Sequence, residues 1–310
     1  MKKRAVSSLL ATLAVVSFIL PALAQEPLTD EETPKLIEVA ADPVGGKSEL
    51  ENAVFLDGAS QSVEYEIRGG TTYVTVASFV AMVDPQAVVE EEGGVVTVSS
   101  AVVEQVVDDE GNTANVVQET LSMTVSVGVP YIVANSRYLY VKDKVVILND
   151  RVAVPVRTLA KVFNLTVGYD SETKSVLLSH SGKSGAYLQP GDSYYDNDAL
   201  YWLSRIIYAE SGNQILDGKI AVGNVVMNRV NSPLFPNNIY DVLTQKNQFS
   251  PAGTLSKRTP NSESILAAKL VMDGAQVLPT ALFFAQAGLP CYASRNRPYI
   301  TTIGAHAFYA

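Results

Sequence analysis

The sequence predicts a two-domain α+β protein, in which a β-rich domain containing an internal repeat precedes a mainly α domain with a small β element. Three observations carry this prediction. Residues 53–180 are dense in Val, Thr, Ile and Tyr, in short runs separated by turn residues. Residues 199–310 space their apolar residues mostly as helices do. A segment rich in Ser, Gly, Asp and Tyr, residues 181–198, separates the two and is expected to be a linker.

The chain begins with a predicted signal peptide. Lys2, Lys3 and Arg4 precede an apolar run over residues 5–20, and the small-residue site at 22–24 suits cleavage after Ala24. A retained membrane anchor is the alternative, but the run is short for a bilayer span. We therefore expect residues 1–24 to be removed, leaving a secreted protein with no stable membrane anchor. Residues 25–52, acidic with Pro and Gly, are predicted to be a linker.

Charge and composition exclude several classes of function. Loss of the leader removes three of 23 basic residues and none of 32 acidic ones, leaving a balance of −12. Nucleic acid is therefore not an expected partner, whereas a neutral glycan remains one. Cys291 is the single cysteine, so no disulfide forms within the chain. His180 and His306 are the only histidines and form no ligand-spaced pair, so we expect no metal and no cofactor.

The β-rich domain, residues 53–180, shows a repeat when the chain is shifted by 80 residues. Each copy is predicted to contain a strand, a two-residue turn (69–70 or 149–150), a second strand, a short helix and a closing hairpin. Between the copies, residues 101–145 add hairpin material with a turn at 109–112. The matching positions are Ile67, Val74, Val76, Ser78, Glu92, Val96 and Val98 with Ile147, Val154, Val156, Thr158, Glu172, Val176 and Leu178.

The second copy carries a family resemblance. The run RVAVPVRTLAKVFNLTVGYDSETKSVLL at 151–178 resembles the domain family called copper amine oxidase N-terminal-like. This resemblance implies a non-catalytic stalk on an exported bacterial protein and implies no copper, and only His180 lies nearby as a metal ligand. We expect a spacer, or a module that contacts other cell-wall components.

Four helices and two short β-prone runs are predicted in the C-terminal domain, residues 199–310. The helices are ALYWLSRIIYAE with Asp196 or Asn197 as cap, DGKIAVGNVVMNRV, NNIYDVLTQ, and SESILAAKLVMDGA with Ser262 as cap. After Pro279, the runs ALFFAQ and IGAHAFYA predict a small hairpin or sheet.

Glu210 is the most informative residue of this domain. It follows Leu203 and Ile206 by seven and four positions, which places its carboxyl group on the apolar face of a helix. Burial there raises the pKa of a carboxyl group, and a carboxyl that keeps its proton near neutral pH is a general acid. The alternative is a Glu at the end of an amphipathic helix, turned to water or paired with Arg205.

The C-terminal domain also resembles a known family. The run from ALYWLSRIIYAESG to KNQFSP, followed by ALFF and NRPYITTIGAHAFYA, resembles the SleB/CwlJ type of cell-wall hydrolase, the spore-cortex lytic enzymes. The resemblance implies a lysozyme-like catalytic domain that cleaves peptidoglycan glycan strands between N-acetylmuramic acid and N-acetylglucosamine. It further implies a lytic transglycosylase in which one Glu acts as acid and then as base, and Glu210 falls on that Glu.

Six other residues are candidates for substrate binding. Ser211 matches the Glu-Ser pair of related transglycosylases, and His306 matches a terminal Gly-x-His-x-Phe element. Each candidate has a structural alternative, such as a core anchor, a helix cap or a plain surface residue. The six are Ser211, Asn228, Gln248, Phe249, Tyr299 and His306.

The chain departs from the family beside Glu210. Many members have Gly-Glu where this chain has Asn213 and Gln214, so a neighbouring acid is missing, although Asp217 is retained. The departure disfavours a two-carboxylate mechanism more than a single-Glu one. Two alternatives stay open. One is a non-catalytic glycan-binding protein, and the other is an N-acetylmuramoyl-L-alanine amidase, which would normally need zinc.

Overall fold

The computed structural model describes residues 53–107, 113–181, 187–246 and 248–310. The predicted signal peptide, the predicted linker at 25–52 and the predicted turn at 109–112 lie outside the described residues. All described residues belong to one compact unit. None of the helices in the described ranges is long and apolar enough to cross a membrane.

The N-terminal half, residues 53–181, is built from thirteen described strands and two short helices. In chain order these are β1 (Val54–Leu56), β2 (Ala59–Gln61), β3 (Tyr65–Arg68), β4 (Thr71–Thr75), α1 (Val76–Val83), β5 (Val88–Glu92), β6 (Val95–Val107), β7 (Thr113–Ser126), β8 (Tyr131–Ala134), β9 (Arg137–Tyr140), β10 (Val146–Leu148), β11 (Arg151–Pro155), α2 (Val156–Val162), β12 (Leu165–Asp170) and β13 (Ser175–His180).

These strands form three sheets. Their orders are β12-β13-β1-β2, β10-β11-β4-β3 and β5-β6-β7-β8-β9, and only the β1–β13 pair is parallel. The sequence strand, two-residue turn, strand, helix and hairpin occurs once over β3 to β6 and once over β10 to β13. The internal repeat itself stays a prediction, whereas the β-rich character of this half is confirmed.

The C-terminal half is mainly helical. Its elements are α3 (Gly191–Tyr194), α4 (Asn197–Ser211), α5 (Leu216–Val230), α6 (Ile239–Thr244), a 3-10 helix (Ala252–Lys257), α7 (Ser262–Met272), β14 (Phe283–Gln286), α8 (Tyr292–Asn296), β15 (Tyr299–Ile303) and β16 (His306–Tyr309). The last three strands form an antiparallel sheet in the order β14-β16-β15, which confirms the small β element. The sequence does not predict α3, the 3-10 helix or α8.

The helical core forms where the apolar periodicity places it. Leu203, Ile206 and Ile207 of α4 are fully buried, and they pack in one cluster with residues of α5, α6 and α7. Helix α5 is buried on most of its surface, as its mixed three- and four-residue spacing predicts. This packing fixes α4, and with it Glu210, between three other elements.

Tyrosines from the β-rich half complete the helical core. Tyr131, Tyr138 and Tyr140, on β8 and β9, pack against the same cluster as the residues of α4 and α7. The Tyr140 hydroxyl donates to Oδ1 of Asp217 at 3.1 Å, at the start of α5. The β-rich half therefore supplies part of the surface on which the helices pack.

A buried charge cluster joins the same two halves. Arg137 of β9 donates from Nε to Oδ1 of Asp273 at 2.9 Å, and its Nη2 contacts the same oxygen. The Tyr195 hydroxyl donates to the other carboxylate oxygen, and Lys161 of α2 donates to the Asp273 carbonyl at 2.7 Å. Asp273 has a fully buried side chain, so this carboxylate depends on its protein partners for hydrogen bonds.

The described part of the predicted linker, residues 187–198, packs on the β-rich half. Leu188 is 5% exposed within the core of that half, and its backbone N–H donates to the Val162 carbonyl at 2.8 Å. The Tyr187 hydroxyl donates to Asp84 at 2.5 Å. Asp196 caps α4 by accepting from the Ala199 N–H at 2.7 Å. The domain boundaries themselves stay predictions.

Candidate active site

Glu210 lies in the last turn of α4, one residue before its end at Ser211. The apolar face of the helix packs into the core, and Glu210 lies on the same face, where it is partly buried. Among the described residues, its carboxyl group has no hydrogen-bond or ion-pair partner. Burial raises the pKa of the Glu210 carboxyl, which agrees with the direction expected from its spacing.

Arg258 opposes the effect of burial on Glu210. It follows the 3-10 helix directly, and its charge acts to lower the pKa of Glu210. Within the described part of the chain, no other charged group shifts this pKa. The Arg258 Nε is buried and has no hydrogen-bond partner in the described residues, so the guanidinium is not committed to another carboxylate through that atom.

Ser211 and Asn228 are both used by the fold. Ser211 is fully buried, and its hydroxyl donates to the Ile207 carbonyl at 2.7 Å. Asn228, on α5, donates from Nδ2 to the carbonyls of Leu278 and Ala281, at 2.9 Å each. These bonds hold a helix turn and the chain entering β14, and substrate binding by either residue stays a prediction.

Gln248 and Phe249 point in different directions. Gln248 is exposed, and its backbone N–H donates to the Gln245 carbonyl at 3.2 Å. Phe249 is 6% exposed in the helical core, with its ring 6.2 Å from that of Phe284 and 5.0 Å from Cζ of Arg229. The structure thus places Phe249 as a core anchor of this loop, while Gln248 faces solvent.

Tyr299 and His306 lie on the C-terminal sheet. Tyr299 is 61% exposed, and its hydroxyl hydrogen-bonds to that of Thr302 at 3.0 Å. The His306 ring lies 5.2 Å from the ring of Phe284, edge-on, and its Nδ1 is buried without a partner among the described residues. Burial lowers the pKa of His306 and so favours the neutral form of its ring.

Gln214 connects the loop after Glu210 to the C-terminal sheet. Its Oε1 accepts from the Ala305 N–H at 2.9 Å, and its Nε2 donates to Oδ1 of Asn213 at 3.1 Å. Ala305 lies in the turn between β15 and β16, immediately before His306. The position at which the family resemblance implies an acid therefore holds an amide that anchors this turn.

Sequence reasoning missed Arg258. It lies 48 positions after Glu210, in a segment with no helical or strand period, so no spacing rule connects the two residues. Only the packing of the 3-10 helix beside α4 brings its charge to bear on the carboxyl group. In the described ranges, no group of three or more His, Cys, Asp or Glu side chains is placed to hold a metal ion.

Two protein families match this chain. Residues 213–309 match the family described as Cell Wall Hydrolase, and residues 67–178 match the Copper amine oxidase N-terminal domain. Both resemblances drawn from the sequence are confirmed over these ranges. The first range begins three residues after Glu210, so it does not include the predicted catalytic position.

Curated relatives carry the name spore cortex-lytic enzyme. The protein of Bacillus subtilis strain 168 is 29% identical over 119 residues, which cover 37% of this chain and 38% of the relative. The protein of Halalkalibacterium halodurans is 29% identical over 120 residues, covering 37% of this chain and 35% of the relative. The chain thus spans less than two fifths of the length of either relative.

Solved structures also match the C-terminal part. The catalytic domain of the germination-specific lytic transglycosylase SleB from Bacillus anthracis is 27% identical with a TM-score of 0.35, covering 37% of this chain and 97% of that one. The catalytic domain of the Bacillus cereus SleB protein is 27% identical with a TM-score of 0.35, covering 37% and 92%.

Proposed function

We propose that this protein is a secreted peptidoglycan-degrading enzyme, a lytic transglycosylase that cleaves the bond between N-acetylmuramic acid and N-acetylglucosamine. Glu210 is its single acid and base. The match to cell-wall hydrolases and the names of the relatives support the class of substrate. The β-rich half is proposed as a non-catalytic module that contacts the wall, and the glycan strand is the expected partner.

The environment of Glu210 carries the mechanistic part of the proposal. Its carboxyl group is partly buried, has no partner among the described residues and has a raised pKa. Hydrolysis with two carboxylates needs a second one about 5 to 9.5 Å away. The positions just after Glu210, where a second acid would be close in sequence, are Asn213 and Gln214. A mechanism with one carboxyl group fits these residues better.

The reaction needs only proton transfers at one carboxyl group. Protonated Glu210 donates its proton to the glycosidic oxygen as the bond from that oxygen to C1 of the muramic acid breaks. The resulting carboxylate then accepts the proton of the C6 hydroxyl of the same sugar, whose oxygen bonds to C1. The products are a new chain end and a 1,6-anhydro sugar, and Glu210 is protonated again. Arg258 stabilises the carboxylate between the two steps.

Digestion of purified peptidoglycan tests the proposal. The protein is expected to release muropeptides that end in 1,6-anhydromuramic acid, identified by mass spectrometry. Glu210→Gln is expected to lower the rate of release by about 100- to 10,000-fold, the usual contribution of a general acid or base. Glu172→Gln, at an exposed turn of the β-rich half, is the matched control and is expected to retain full activity.

Other outcomes identify the alternatives. Reducing-end products would replace the transglycosylase mechanism with hydrolysis. Absence of products from any wall, together with retention on insoluble wall by both the native protein and Glu210→Gln, would favour the glycan-binding protein. Release of peptides from intact glycan, lost on adding a chelator, would favour the amidase.

A further inference from the structure

A pocket of about 360 Å³ lies beside α4 and outside the predicted site. Trp202 of α4, Tyr240 and Thr244 of α6, and Gly253 and Ser256 of the 3-10 helix line it. We call it the Trp202 pocket. Its volume is at the lower end of the range for small-molecule sites, so it suits a group the size of a sugar ring or two.

Two elements that line the Trp202 pocket also lead to the surroundings of Glu210. Both residues belong to α4, eight positions apart, which is roughly 12 Å along the helix with directions about 80° apart. The 3-10 helix that supplies Gly253 and Ser256 leads directly into Arg258, whose charge acts on Glu210. A linear polymer bound at Glu210 would need to follow α4 for about 12 Å to place another ring in the pocket.

The chemistry of the pocket selects an uncharged ring. All its lining residues are uncharged, and the chain without its predicted leader carries a net charge of −12. The Trp202 ring is held between Tyr201, at 4.9 Å, and Tyr240, at 5.0 Å between ring centroids. Tyr240 is 50% exposed, so its ring remains accessible. Aromatic rings of this kind contact apolar faces, while hydroxyl groups such as that of Ser256 suit polar edges.

We propose that the Trp202 pocket is a saccharide subsite for an uncharged N-acetylhexosamine ring of the glycan strand, at a distance from the bond cleaved at Glu210. The identity of the polymer rests on the function proposed above. The stem peptides of the wall carry carboxylates, and the pocket offers no cation to pair with them. The sugar backbone, with its apolar ring face and its acetyl methyl group, is the part of the polymer that fits.

Trp202 is the single tryptophan of the chain, so its fluorescence reports on this pocket alone. Soluble N-acetylglucosamine oligomers, titrated into full-length Glu210→Gln, are expected to change the emission saturably without being cleaved. Calorimetry on the same samples measures total binding. Oligomers that bind by calorimetry and leave the emission unchanged would overturn the subsite, and so would a failure of oligomers to bind at all.

Gly253→Phe adds a large side chain to the lining of the pocket and leaves Trp202 in place. A Cβ at Gly253 meets no atom within 4 Å, so the larger side chain enters open space. Tyr240→Ala removes one aromatic wall instead, and circular dichroism checks the fold of both variants. Each is expected to weaken oligomer binding at least tenfold. Tyr292→Ala, which removes a 65% exposed ring on α8, is the control and is expected to bind normally. Equal binding by all three variants would contradict the proposal.

Kinetics separate failure of the subsite from failure of the proposed function. In the native background, Gly253→Phe is expected to raise the KM for long glycan strands far more than the KM for the shortest cleavable fragment. Cleavage with the same KM increase for both lengths, or with none, would sink the subsite while the function stands. Saturable Trp202 fluorescence in a protein that cleaves no wall would keep the subsite and remove the enzyme.

Discussion

Glu210 shows how far a single residue can be read from its spacing. The apolar positions before it place its side chain beside the core, and the structure gives partial burial and a raised pKa. Spacing does not predict the charge that lowers this pKa, because Arg258 lies in a distant segment of the sequence. The catalytic role of Glu210 stays a prediction, and two measurements on these residues test its physical basis.

Glu210→Gln is expected to stabilise the fold at neutral pH and to have little effect near pH 3.5. Because burial raises the pKa in the folded protein above its usual 4.5, the unfolded chain loses this proton first as pH rises. The free energy of unfolding of the native protein therefore falls as pH rises from about 4.5, and it stops falling above the pKa of the folded protein. Thermal unfolding of both proteins at several pH values measures it, and a native protein more stable than the variant at pH 7 would contradict a buried, unpaired carboxyl group.

Arg258→Gln is expected to shift the alkaline limb of the activity profile to higher pH. Activity requires the protonated acid and falls as pH rises through its pKa. The Arg258 charge lowers that pKa, so its removal leaves burial unopposed and raises it. The rate of muropeptide release measured against pH checks this, with Arg157→Gln, an exposed residue of the β-rich half, as the control. An unshifted alkaline limb would mean that Arg258 does not act on Glu210, and a shift to lower pH would contradict the direction of its effect.

The remaining candidate residues mark a limit of motif matching. A motif gives the position of a side chain along the chain but not its hydrogen-bond partners. Ser211 and Asn228 donate hydrogen bonds to backbone carbonyl groups, and Phe249 is buried in the core. Tyr299 and Gln248 are the exposed members of the set. A motif also gives no role to Gln214, which stands where the family resemblance implies an acid and whose amide holds the β15–β16 turn.

At the scale of elements, long periodic segments were predictable and short ones were not. The four predicted helices correspond to α4, α5, α6 and α7, and Asp196 caps α4 as one of two alternatives. The cap of α7 is Asn261 rather than Ser262, because the Asn261 side chain accepts from the Ser264 N–H. Helix α8 has five residues and a Cys cap, so it carries neither a period nor a usual start signal.

Gly223→Ala is expected to destabilise the protein by about 1–2 kcal/mol. A Cβ at this position would lie 2.8 Å from Cγ2 of Val271 and 3.1 Å from Cδ1 of Ile207, where α5 packs on α7 and α4. Overpacking of about 1–3 kcal/mol outweighs the gain of up to about 1 kcal/mol in helix propensity.

Urea unfolding of this variant measures the change, and Gly253→Ala, whose Cβ enters open space, is the control. A stabilised Gly223→Ala would show that α5 and α7 are less closely packed than the structure places them.

At the scale of the whole molecule, the two halves share a core and a buried ion pair. Neither follows from sequence patterns, because the contacts join Arg137 to Asp273 and Tyr140 to Asp217 across more than seventy positions. The composition of residues 181–198 suggested a linker, yet the described residues of that segment hydrogen-bond to the β-rich half. Composition shows that a segment tolerates solvent, but it does not show whether another part of the protein offers a surface on which the segment can pack.

Asp273→Ala is expected to destabilise the protein by about 3–5 kcal/mol, because it leaves Arg137 buried without its carboxylate partner. Glu66→Ala breaks the pair of Glu66 with Arg68, at 2.7 Å on the surface, and is expected to cost less than about 1 kcal/mol. Chemical unfolding, followed by circular dichroism, compares the two variants. Equal, small effects would show that the two halves are not held together by this cluster.

The docking of the helices on Tyr131, Tyr138 and Tyr140 changes what a wall-binding module would do for its partner domain. A stalk joined by a flexible linker lets a catalytic domain reach every bond within the length of that linker. A module packed against the helical core would instead keep a constant distance from Glu210. Any part of the wall bound by this module would lie at one distance from Glu210. Cleavage would then be restricted to glycan bonds at about that distance from the binding point.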